Sequence, residues 1–247
     1  MRASVGAVRV GFGRLETRYP RLMPLAPAHP AVVLPLRGLG LPLSALVMGA
    51  LAPDAPVYLP VGVSYQTTHS GGGIAVDVVI GLALLWLWFA LLRDAVVNLT
   101  PYLRRRVPAE ARLARRAWLL APLAVAIGAS THVLWDSATH DWGFLVQEFA
   151  FLRGEYGPIR LYGWLQHSST VAGSVVVAAY GAFQLSRRPV VPRPPAVGRS
   201  GLWLVPVPLT ALSVAIVVRD PEAAVGAALL ALLAVASAWR TVRQRKP

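Results

Sequence analysis

Apolar residues run through this chain in long blocks broken by short polar segments, not at the three-to-four-residue interval of an amphipathic surface helix. Five blocks reach about the 17 residues that a bilayer-crossing helix needs. They are Val76 to Leu92, Ala117 to Trp135, Tyr162 to Leu185, Leu202 to Val218 and Ala223 to Trp239. Trp118, Trp135, Trp164, Trp203 and Trp239 fall at the block ends, where an amphipathic indole sits well among lipid headgroups. The pattern predicts an all-α protein, an integral membrane helix bundle of five to six spans.

A sixth apolar region, Ala31 to Leu51, is interrupted by Gly38, Gly40 and Pro42 and contains Arg37. Two forms are open for it. A single spanning helix would strand His29 on the membrane face opposite Asp54. A broken hairpin of two short helices, folded back between Arg37 and Pro42, would bring His29 and Asp54 together, and is preferred because it collects the polar residues at one end. The expected organisation is an N-terminal extension over 1–22, a membrane domain over 23–185, a Pro/Arg-rich linker over 186–201, and a two-helix hairpin with a basic tail over 202–247. Residues 1–22 lack a long apolar core, so no cleaved signal peptide is expected, and Met23 is an alternative start.

The formal net charge is +13. A nucleic-acid surface would gather that charge in one stripe, but here the arginines sit in short segments between apolar blocks, which argues against nucleic acid. Arg93, Arg104 to Arg106, Arg112, Arg115 and Arg116 occupy one connection, and Arg187, Arg188, Arg193 and Arg199 another. The positive-inside rule makes both cytoplasmic, and Arg240, Arg243, Arg245 and Lys246 place the C-terminus there too. The segments Asp54 to Ala75 and Asp136 to Leu161 must then face outward. There is no cysteine, which excludes disulfides and thiolate metal sites and leaves imidazole and carboxylate as the strong ligands.

Candidate chemistry gathers on that outward edge. His132, Asp136 and His140 are spaced by four residues, so a helix running past Trp135 would project them from one face. An imidazole and a carboxylate one turn apart can ligate one divalent metal, zinc, manganese or iron, which could acidify a bound water for hydrolysis. The plainer reading is that His132 and Asp136 only hydrogen-bond neighbouring helices. What favours a site is that Asp54, at the end of the short helix Ser44 to Leu51, His69 before Gly71-Gly72-Gly73, and His167 one turn inside the Tyr162 block all come to the same edge. Asp77 fits better as a helix N-terminal charge, His140, Asp141 and Glu148 also fit as ordinary loop residues, and the small residues Ala172, Gly173, Ala178, Ala179 and Gly181 fit helix packing. The three glycines are not a phosphate loop, since no Lys-Ser or Lys-Thr follows.

On Met23-Pro24 through Ala28-His29-Pro30 to Pro35, on Ser44 through Pro53-Asp54, on Thr68-His69-Ser70 and on the His132, Asp136 and His167 segments, the chain resembles an uncharacterised bacterial membrane-protein family, domain of unknown function 4184. The resemblance covers roughly Met23 to Leu185, leaves the last two blocks outside, and implies a multi-pass membrane protein without an assigned reaction. More distantly, the order of these motifs is similar to bacterial inner-membrane proteins named metal-dependent hydrolases. That analogy implies His29, Asp54, His69, His132 and Asp136 as metal ligands or their neighbours.

Two functions follow as expectations. The first is a metal-dependent hydrolase of the bacterial inner membrane, with Asp54, His69, His132 and Asp136 holding a divalent metal such as zinc and His29, His167 and His140 completing or orienting the shell. Its location points to membrane lipids as surroundings and to a lipid or envelope phosphoester as substrate. The second is a nonenzymatic scaffold or small transporter in which the same groups are interhelical hydrogen-bond partners. Convergence of the four residues in space separates the two.

Overall fold

A computed structural model describes residues 28–59, 61–108 and 111–193, and within the last apolar block only 228, 231–232 and 235–236. The Leu202 to Val218 block, residues 1–22 and most of the C-terminal hairpin lie outside the described residues.

The first apolar region is broken. Helix α1 (Pro30–Val33) runs into a 3-10 turn at Pro35–Leu39, the chain reverses at Gly40, and α2 (Leu43–Leu51) packs back against α1. Gly40 has φ +73, a left-handed conformation that glycine adopts without a Cβ clash, and Pro42 starts the returning arm in extended geometry. Short helices α3 (Ala55–Tyr58) and α4 (Tyr65–Thr68) follow, with Ser64 capping α4 by accepting a hydrogen bond from the Thr67 N–H. Helix α5 (Ile74–Leu87) passes through a π-helical turn, Trp88–Leu92, into α6 (Arg93–Leu99), and α7 (Pro101–Arg104) ends that run.

Helix α8 (Arg115–Thr139) returns across the bundle, followed by α9 (Phe144–Glu148). A two-stranded antiparallel hairpin, β1 (Glu155–Tyr156) with β2 (Ile159–Arg160), then leads into α10 (Leu161–Ser186). This hairpin corrects the all-α expectation in a small way: Gly157, at φ +71, makes the turn that pairs the strands. The described residues are otherwise mostly helical, and among them three helices are long and apolar enough to cross a membrane: Gly71–Asn98, Arg115–Glu148 and Leu161–Ser186.

The centre of the bundle is α2 crossing α8, with α5 alongside. Close approach depends on small residues. A methyl group on Gly128 would lie 2.2 Å from the Leu46 carbonyl oxygen, and one on Gly49 would lie 2.2 Å from that of Val125. Leu46, Leu85, Val125 and Val33 fill the core around this crossing. By contrast, α10 is peripheral, and in its most apolar stretch no residue is buried. Of the small-residue face expected to pack there, Gly173 approaches the Ala28 backbone, whereas Gly181 meets nothing within 4 Å and Ala178 and Ala179 are exposed.

Candidate metal centre

The helix continues past Trp135 to Thr139, so His132 and Asp136 stand one turn apart on the same face, each 1% exposed. Asp54 occupies the N-cap position of α3 yet makes no capping hydrogen bond, because its carboxylate turns toward the imidazoles. His69 follows α4 and is buried at the same place. Gly73 is required nearby, since a methyl group there would overlap the Thr67 carbonyl, while Gly71 and Gly72 have open space around them.

These four side chains form one compact set. His69 Nε2 lies 3.3 Å from His132 Nε2, and Asp136 Oδ2 lies 3.4 Å from the first and 3.3 Å from the second. Asp54 Oδ1 is 3.6 Å from each Nε2. Ligand atoms bound at about 2.0–2.1 Å in a tetrahedron stand roughly 3.4 Å apart, close to these five distances, and all four ligand atoms lie within 4.8 Å of one another.

Backbone contacts set which nitrogens face inward. His132 Nδ1 is 2.7 Å from the Ala50 carbonyl oxygen and His69 Nδ1 is 3.0 Å from that of Tyr65. A carbonyl only accepts, so both Nδ1 atoms carry the proton and both Nε2 lone pairs are left for the cage. The Thr68 hydroxyl donates to the Pro53 carbonyl at 2.7 Å, tying the loop that carries His69 to the residue before Asp54. The interior therefore collects two imidazole Nε2 atoms and two carboxylates, each imidazole at ion-pair distance from both carboxylates. A divalent cation is the species that such a donor set fits.

A second layer surrounds this set. His29 stacks on His132, with ring centroids 3.7 Å apart, and its Nε2 is 3.7 Å from Asp136 Oδ1. Burial pushes the His29 pKa down to about 3, helped by neighbouring His132, so the ring is neutral at ordinary pH. Burial likewise pushes the Asp54 carboxyl above its usual range, with His132 opposing. His140, which ends α8, places Nδ1 3.7 Å from Asp136 Oδ1, and its Nε2 is 3.0 Å from the Gln166 amide nitrogen. Tyr65 stacks on His69 and Trp142 meets it edge-on.

His167 does not join this layer. It is exposed, because one step along α10 turns a side chain by about 100° and Gln166 holds the inward position. Asp141 caps the Trp142 N–H instead of facing the site. Asp77 does stand in the first turn of α5, as a dipole partner would, but it is fully buried and neither carboxylate oxygen has a hydrogen-bond partner. Sequence reasoning missed Gln166, Thr68 and the two backbone carbonyls. Only Gln166 left a signal, its position on the helix beside a histidine.

Fold and site together define a helical protein with membrane-length helices and a buried His/Asp centre capable of holding a metal ion. The chain belongs to the family described as Domain of unknown function (DUF4184), whose profile matches residues 23–243. The match runs well past Leu185 and takes in the last two apolar blocks, correcting the narrower extent expected above. No curated protein and no solved structure matches the chain.

Proposed function

We propose that this protein is a membrane-embedded metal-dependent hydrolase of a bacterial cell membrane, with Asp54, His69, His132 and Asp136 as the ligands of one divalent ion, zinc foremost. The observation that carries this reading is the cage itself: four buried His and Asp side chains whose ligand atoms lie within 4.8 Å of one another, the imidazoles oriented by backbone carbonyls. The basic connections support the orientation, because Val191 and Arg193 hydrogen-bond to the carbonyls of Arg105 and Val107 at the bundle end opposite the cage. Positive-inside topology then puts the cage on the non-cytoplasmic side.

An ion held by Asp54, His69, His132 and Asp136 would supply an acidified water for hydrolysis. His29, neutral and beside Asp136, would accept a hydrogen bond from that water and position it; the water oxygen would bond to the ester's electrophilic centre, the ester bond would break, and the departing oxygen would take up the proton the water releases. A second reading has one specific observation in its favour. Four protein ligands close a tetrahedron, as structural zinc sites do, and this would make the ion a staple between α2 and α8.

The deciding experiment is metal analysis of detergent-purified protein. Wild type is expected to hold one ion per chain, and His132→Ala and Asp136→Ala to lose it. Substoichiometric metal in wild type, or unchanged content in both variants, removes the reading. His29→Ala then separates enzyme from staple. It should keep the ion while hydrolysis of bis(p-nitrophenyl) phosphate falls by about 10²-fold or more; wild type no faster than this variant leaves only the staple.

A further inference from the structure

Beside the cage lies a cavity of about 280 Å³ bounded by three elements. The hairpin contributes Ala28, His29 and Val32, and α8 contributes Trp135, Asp136 and Thr139. Helix α10 lines it with Gln166, Ser169, Thr170, Ala172, Gly173 and Val176, a band along one side of the helix.

Polarity falls along that band. Gln166 sits nearest the centre, in contact with His140, and Ser169 accepts a hydrogen bond from Trp135 Nε1 at 3.2 Å. Beyond Thr170 the lining becomes Gly173 and Val176, purely apolar. Gly173 sets the width here, since a methyl group on it would lie 2.8 Å from the Ala28 carbonyl oxygen. Beside this apolar part of the lining Val32 is 42% and Val176 48% exposed, Val176 on a helix long and apolar enough to cross a bilayer. Among the described residues no lysine or arginine lines the cavity.

We propose that this cavity is a lateral port, by which a membrane-resident amphiphile reaches the centre from within the bilayer. Its hydrocarbon chain lies between α1 and α10 against Gly173 and Val176, and its ester-bearing polar end meets Asp136 and His29. A water-soluble ester would have no use for the apolar half of this passage, whereas a lipid matches both ends of it. The inference rests on the hydrolase reading for the fate of the substrate, but not for the occupancy of the port.

The test uses full-length protein in phosphatidylglycerol vesicles containing a phosphatidic acid whose acyl chain carries a diazirine within its first few carbons. After illumination, adducts are mapped by mass spectrometry. Adducts are expected on Ala28 and Thr139, which are too buried to meet bulk lipid, and on Leu119, an exposed position of α8 that serves as the internal standard. Ala172→Trp, and independently Val176→Trp, should abolish the Ala28 and Thr139 adducts and leave the Leu119 adduct unchanged. Labelling confined to exposed positions in wild type, or untouched by both tryptophans, overturns the port. Metal content measured on the same samples keeps the two proposals apart: one ion per chain without cavity adducts sinks the port alone, and cavity adducts without metal sink the hydrolase alone.

Discussion

At the basic end of the bundle guanidinium groups meet acceptors, whereas at the opposite end imidazoles and carboxylates crowd together in a buried set. Arg93 and Arg112 both reach Asp94, Arg104 donates to the Asn98 carbonyl, and Arg193 donates to that of Val107. Those contacts need no further partner to make electrostatic sense. The His/Asp end brings two carboxylates and two imidazoles within 4.8 Å of one another in a buried place, a set that needs a bound cation or a protonated imidazole to balance it. Roughly 25 Å of α8 separates Arg116 from His132, so the arginines of one end cannot neutralise the other. The contrast shows that charge number alone did not reveal the site; the crowding of buried imidazoles and carboxylates did.

The sharpest way to break this comparison is topological. The chain has no cysteine, so Gly72→Cys and Arg105→Cys can be labelled singly in intact cells. An impermeant maleimide should react with the first and not the second. Equal reaction of both would collapse the distinction between the ends.

Next in size is Gly128→Val, which touches no ligand but drives a side chain into the Leu46 carbonyl. Overpacking here is expected to cost about 1–3 kcal/mol of stability. By moving the Ala50 carbonyl away from His132 it should also weaken metal binding about 10- to 100-fold. Thermal unfolding in detergent and competitive metal titration measure the two effects, and an unshifted metal affinity would show that the α2–α8 crossing does not orient the ligand.

A smaller effect concerns acid. Metal binding requires neutral imidazoles and ionised carboxylates, and burial raises the Asp54 carboxyl, which strengthens the proton as a competitor. Bound metal should therefore be retained at neutral pH and released as pH falls below about 6. Retention of the ion well below that range would assign it to other ligands. Smallest is Arg112→Ala. Its pair with Asp94 is more than half exposed on the arginine side, so its loss should cost well under about 1 kcal/mol and leave metal content unchanged.

Much of the centre was legible in the sequence because its signals were local. The His132 and Asp136 pair needed only a helix extending one turn past Trp135, and Asp54 and His69 needed only to stand at the ends of apolar blocks on the same side. The hairpin was readable from Gly40 and Pro42, each of which fixes backbone geometry by itself. What escaped was tertiary. Ala50 and Tyr65 serve through carbonyl oxygens, which every residue has, so no residue type marks them. The choice between Gln166 and His167 turned on a rotation of about 100°, set by how α10 docks and not by anything in the local pattern. Asp77 occupies the first turn that its position predicts, but its complete burial depends on packing around α5 that the sequence does not display.

The hydrogen bond from His132 to Ala50 spans 82 positions of the chain, and the meeting of His69 with His132 spans 63. During synthesis the hairpin and the His69 loop emerge long before α8, and neither can acquire its partner until that helix has been made. Assembly of the centre is thus a late event in biogenesis, and a protein truncated ahead of α8 would carry Asp54 and His69 without the two ligands that complete the set.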